Sequence, residues 1–143
     1  MASGPEPADD LARLQVLLVG AVLDRQPLPG QNEAPFFADL DYVLSQERAV
    51  LSREYLRPGA VFGARVELLS PAEIVGRARQ SGEFAYLRFQ PPQCEARRIG
   101  LSLQLCMAFP DLDPLPLGAA VATFEPDSAG QWRTVDPTAV LAY

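Results

Sequence analysis

The 143-residue chain has room for one domain and little more, and a domain of that length buries about 70% of its unfolded surface, so it can fold without disulfides or a structural metal. Its 48% apolar and 21% charged residues exclude a wholly disordered chain, and a formal charge of −6 argues against nucleic acid and anionic membrane surfaces as partners. There is no histidine and no lysine, all twelve cations being arginine, which removes Ser-His and Cys-His catalysis, histidine-ligated metals, Schiff-base chemistry and the phosphate-loop lysine.

From the N-terminus, Met1 to Asp10 carries Glu6, Asp9 and Asp10 where a secretory signal would be positive. Residues 1–8 read as a flexible lead-in to a single domain, 1–143. Asp9 or Asp10 is placed to cap a helix running to about Arg25, in which Leu11, Leu14, Leu18, Ala21 and Val22 keep helical spacing. Val16, Leu17, Val19 and Leu23 widen that stripe beyond one face, so the helix should be largely buried, in part against another chain. A strand over Leu14–Leu23 is the rival reading. The run is too short to span a bilayer and is closed by Asp24-Arg25. The expectation is a cytoplasmic protein, with a processed exported chain left open.

Prolines 27, 29 and 35 make residues 26–35 a loop. Residues 36–57 fit either one helix or a strand at Tyr42-Val43-Leu44 followed by a short helix from Ser52, the second being favoured because Val43, Val50 and Tyr55 suit a solvent-facing helix side poorly. A short strand follows at 64–69. Ser70-Pro71-Ala72-Glu73 then opens a helix with a capping box, a proline at its first position and a Leu69–Ile74 staple, and Gly82 is its left-handed stop after Ser81. Residues 84–89 form a strand turned by Pro91-Pro92. Residues 98–109 alternate without a break, Ile99, Leu101, Leu103, Leu105, Met107 and Phe109 on one side and Arg98 to Ala108 on the other. About 40 Å of strand is long for this domain, and a bend is expected. Residues 110–116 form a loop, 118–124 return as a strand, 126–130 turn, 131–135 close a hairpin and the apolar tail 136–143 docks back.

This order predicts an α+β fold, helices packed on one face of a curved, mainly antiparallel sheet. Together with the ending Phe124-Glu125-Pro126-Asp127-Ser128-Ala129-Gly130-Gln131-Trp132-Arg133, it resembles the cone-shaped ketosteroid-isomerase-like superfamily (nuclear-transport-factor-like, cystatin-like) over residues 60–136. The resemblance implies an Asp or His working in the cone with Tyr, and dimers formed through the outer sheet face. The chemistry does not carry over: His is missing, and Asp39 and Asp41 would share a strand face with Tyr42 turned away, as solvated acids do.

Candidate chemistry is thin. Cys106 has no neighbouring base and reads as a small filler, and Cys94 reads as an exposed turn residue. The hairpin register sets Cys106 opposite residues 82–86, so the two cysteines do not pair. Charge is uneven, six arginines against four acids over 64–98, and of Arg77, Arg79, Arg88, Arg97 and Arg98 the last three are the candidates for an anion site, with surface ion pairs as the competing use. The pairs Asp9/Asp10 and Asp111/Asp113 lack further ligands, so neither metal nor cofactor is expected. These features favour a non-catalytic domain binding a small apolar ligand or a protein. The alternatives are a cone-type isomerase, cyclase or dehydratase working with Asp, Glu or Tyr, and a subunit of a larger assembly. A homodimer is expected, through the flat sheet side of Gly100, Ser102, Cys106 and Ala108 or else through the first helix.

Overall fold

The computed structural model describes residues 7–29, 47–95, 97–135 and 139–142. Helix α1 spans Pro7–Asp24. It is followed by strands β1 (Ala49–Ser52) and β2 (Val66–Leu69), helix α2 (Pro71–Ser81), and strands β3 (Phe84–Phe89), β4 (Gln93–Glu95), β5 (Arg98–Ala108), β6 (Leu115–Pro126), β7 (Trp132–Thr134) and β8 (Ala139–Ala142).

One curved, open sheet holds all eight strands in the order β2-β1-β3-β5-β6-β7, with β4 against β5 and β8 against β6. The expected α+β class and the antiparallel pairing from β3 onward are both present. Phe84–Phe89 runs against Leu103–Ala108, β5 against β6, and β6 against β7. The tail docks as β8 on Gly118–Val121 of β6. The β5–β6 pairing shifts register between Leu105 and Cys106, where Leu117 is an extra residue on β6, and a bulge of this kind bends the strand that carries it. β4 is a strand where only a turn was expected, pairing with Arg98–Gly100.

The main departure lies before α2. Instead of a helix from Ser52, β1 ends there and a turn follows. β1 pairs in parallel with both β2 and β3. A four-residue buried strand, Ala49-Val50-Leu51-Ser52, has no alternation to reveal it. The expected strand at 42–44, the loop residues 30–35 and the acids Asp39 and Asp41 lie outside the described residues, as do residues 1–6 of the lead-in.

α1 is a helix, not a strand, and it starts at Pro7, so Asp9 and Asp10 sit inside its first turns instead of capping it. Proline suits a first turn, where its missing N–H has no acceptor. Leu11, Leu14, Leu18 and Val22 face the odd-numbered side of the sheet, Leu87, Phe89, Ile99, Leu101, Leu103 and Leu105, and the even-numbered Ala120, Ala122 and Phe124 of β6.

α2 carries the start devices read from its sequence, but its stop at Gly82 is not the left-handed one expected. Ser70 Oγ accepts from Glu73 N at 3.1 Å, Glu73 Oε1 accepts from Ser70 N at 2.9 Å, and Leu69 and Ile74 are buried together. Gly82 stops it with φ 89 and ψ −177, which is outside the left-handed helical region and open to glycine alone. The two helices do not share a face. α2 packs Ile74 and Ala78 on Val50, Tyr86, Cys106 and Ala108, the side of the sheet opposite α1. Side-chain alternation dictates this, because Leu69 at the end of β2 points away from Val66 and Leu68, which join the α1 side.

Candidate functional site

Three segments meet at the N-terminal end of α1. The first is α1 itself, where Asp10, Leu14 and Leu17 follow one another at helical spacing. The second is the hairpin turn between β6 and β7. Asp127 Oδ1 accepts from Ala129 N at 2.8 Å and Gln131 N at 3.0 Å, and Gly130 takes φ 81, so the turn is braced by an Asx motif and a residue without a Cβ. The third is the 26–29 loop, anchored by buried Leu28 and by Thr134 N donating to Pro29 O at 2.9 Å.

Between them lies an open cleft of about 550 Å³. Leu14, Leu17, Pro29 and the half-buried Trp132 supply apolar walls, and Asp10, Arg13 and Gln131 supply polar ones. The Asp10 side chain is only 4% exposed, yet its Oδ1 is 3.6 Å from Arg13 Nη1, too far for a hydrogen bond. Arg13 is 76% exposed. The combination is a buried carboxylate, an indole and a solvent-facing guanidinium beside apolar side chains, a set of groups able to bind a small molecule.

The three anion-site candidates are not brought together. Arg88 stands opposite Gln104 and donates from Nε to Gln104 Oε1 at 2.8 Å. Arg98 is six residues further along β5, about 20 Å at strand rise, and donates from Nε to Glu125 Oε2 at 2.8 Å. Arg97 is in the exposed turn before it. Arg77 forks onto Glu67 with two contacts of 2.7 Å, which holds the Glu67 carboxyl below its ordinary range. Arg79 donates to Pro110 O at 3.3 Å beside the exposed Asp111 and Asp113.

Both cysteines are free thiols. Cys106 is fully buried opposite Tyr86. Burial pushes its thiol up to about 11 and the Tyr86 phenol up to about 12. The neighbouring Arg88 only partly offsets this for either group. Neither is ionised at neutral pH, so the pair is packing, not a nucleophile. Cys94 is exposed, on β4 instead of in a turn.

Gln15 was not singled out by its sequence. It is fully buried in α1; its Nε2 donates to Tyr55 O at 2.9 Å and its Oε1 accepts from Arg57 N at 3.0 Å. The latch holds the loop after β1, where Tyr55 takes a positive φ of 61. The available signal was a glutamine four residues after Leu11 and three before Leu18, on the apolar stripe. Asp10 offered the same kind of signal, hidden by the expectation that it capped the helix. Trp132 packs against the core edge and also lines the cleft.

Comparison with family models, curated proteins and solved structures returns no match. No helix among the described residues is long and apolar enough to cross a membrane.

Proposed function

We propose that the chain is a non-catalytic binding domain that holds a small, largely apolar ligand in the cleft between the start of α1 and the β6–β7 hairpin. The observation that carries this reading is the meeting of buried Asp10 with Trp132, the chain's single tryptophan, across an apolar floor. The cleft's volume is within the range of about 300–1,000 Å³ usual for ligand pockets, and a few polar groups on an apolar wall are what orients a ligand. The acid-base enzyme reading asks for a carboxylate without a cation beside it; Asp10 has Arg13. The cone-superfamily resemblance suits a ligand under a helix-covered sheet and adds no residue to the site. Two free cysteines and an acidic surface suit a reducing, cytoplasmic setting.

Because Trp132 is unique, its emission reports the cleft without labelling. Titration with a panel of small aromatic and aliphatic amines, acids and alcohols is expected to give saturable emission changes for some members. Asp10→Asn should alter the ranking of amines against alcohols. Linear, non-saturating responses from every member would overturn the proposal.

A further inference from the structure

α1 is wrapped on most of its circumference, and what stays uncovered has an order. Leu11, Leu14, Leu18, Val19, Val22 and Leu23 are all buried. The residues left towards solvent are Arg13, Leu17, Gly20 and Asp24, with the edge of Val16 beside them. Their spacing is four, three, four. That is the seam spacing of a coiled coil, and it reads the same in both directions.

A palindromic seam can meet itself across a two-fold axis with the helices antiparallel. With the axis between positions 18 and 19, residue i faces residue 37 − i. Leu17 then faces Gly20 of the second copy, and Arg13 faces Asp24. Each juxtaposition is complementary. Leu17 is 38% exposed although it is a leucine, and a Cβ built on Gly20 would meet no other heavy atom within 4 Å, so a knob lies opposite a hole. Arg13 and Asp24 have side chains 76% and 48% exposed, and they have opposite charge. Asp24 already receives Arg65 at 2.6 Å through Oδ1, but a carboxylate accepts from more than one guanidinium. Val61, 77% exposed in the loop flanking α1, adds apolar surface at the rim.

The rival face is smaller than the sequence suggested. Cys106 and Ala108, two of the four small residues expected to form a flat sheet interface, are covered by α2. We infer that the chain forms a homodimer by antiparallel pairing of α1 with α1 of a second copy, Leu17 seated against Gly20 and Arg13 paired with Asp24 at both ends. The contact is isologous, as closed dimers require, and both ion pairs are at its ends, where they set register. This goes beyond the ligand proposal but shares Arg13 and Leu17 with it, so the second copy would border the cleft, and the test below reads mass and not ligand binding.

The test is a charge swap read by light scattering at micromolar concentration under reducing conditions, with circular dichroism confirming that each variant is folded. Wild type should weigh about 31 kDa, twice its 15.5 kDa chain. Arg13→Glu alone sets two carboxylates against each other at each end of the seam, and Asp24→Arg alone sets two guanidinium groups there, so each variant should run near 15.5 kDa. Mixed in equal amounts they should return to about 31 kDa, because every cross-pair is again opposite in charge. A monomeric wild type, single variants that stay dimeric, or a mixture that stays monomeric beside a dimeric wild type would each overturn the pairing. As an independent reading, Leu17→Cys with Gly20→Cys in a Cys94→Ser background should oxidise to a covalent dimer. A dimeric wild type whose double-cysteine form yields only monomer would overturn the register.

Discussion

The two faces of the sheet are built from the same strands and do different work. On the α1 side, Leu51, Leu87, Leu103 and Phe124 join a continuous core beneath a helix of 18 residues. On the α2 side, an 11-residue helix covers one corner only, over Val50, Tyr86, Cys106 and Ala108. Beyond that corner the face turns polar, with Arg88 held by Gln104. Most of the apolar burial, and hence most of the stability, belongs to the first side. The second side is closed mainly by geometry, its helix ends capped and its polar groups paired.

The sharpest way to break this contrast is a pair of truncations. Leu103→Ala, at the centre of the α1 side, should cost about 2–5 kcal/mol. Ile74→Ala should fall at the low end of that range, about 2 kcal/mol, because its corner is nearer solvent and can close up. Chemical denaturation of both variants checks this, and equal losses would mean that the faces share the core evenly. Gln15→Ala comes next. It strands the Tyr55 carbonyl and the Arg57 N–H, for an expected loss of about 1–3 kcal/mol. A loss of a few tenths would show that water takes over both bonds. Ser70→Ala should cost about 1 kcal/mol through the lost cap of α2, and thermal melts would detect it.

Smallest at neutral pH is Tyr86→Phe, expected within about 1 kcal/mol of wild type. Its signature is alkaline. The folded phenol is raised to about 12 from an ordinary 10, so above pH 10 the unfolded chain releases a proton that the folded one keeps. That contribution is whole below pH 10 and is lost progressively as pH rises towards 12. Removing the hydroxyl should flatten the fall in stability across that window. Parallel pH profiles for variant and wild type would mean Tyr86 is hydrated.

What the sequence revealed follows from the strength of local signals. The Ser70–Glu73 box, the β5 alternation and the 126–130 turn are each written in adjacent residues, and each is present. β1 was hidden because a strand buried on both faces has no period, and its parallel partners lie 17 or more positions away. The opposite placement of α2 depended on which way Leu69 points, and that is fixed by pairing to β1. The site was legible only in parts. The hairpin that presents Trp132 could be read, whereas Asp10 and Gln15 gain their roles from segments distant in the chain.

Gln15 has a kinetic consequence. Its two bonds join residues 40 and 42 positions apart, so the latch closes only after the intervening chain has been gathered in. Loop-closure entropy rises slowly with length, but it has to be met before two hydrogen bonds return anything. The segment 53–57 is therefore expected to set late in folding and to open first in the native state, its amides exchanging with solvent well before those of β3 and β5. Each opening would expose the flank of α1 while the sheet stays shut.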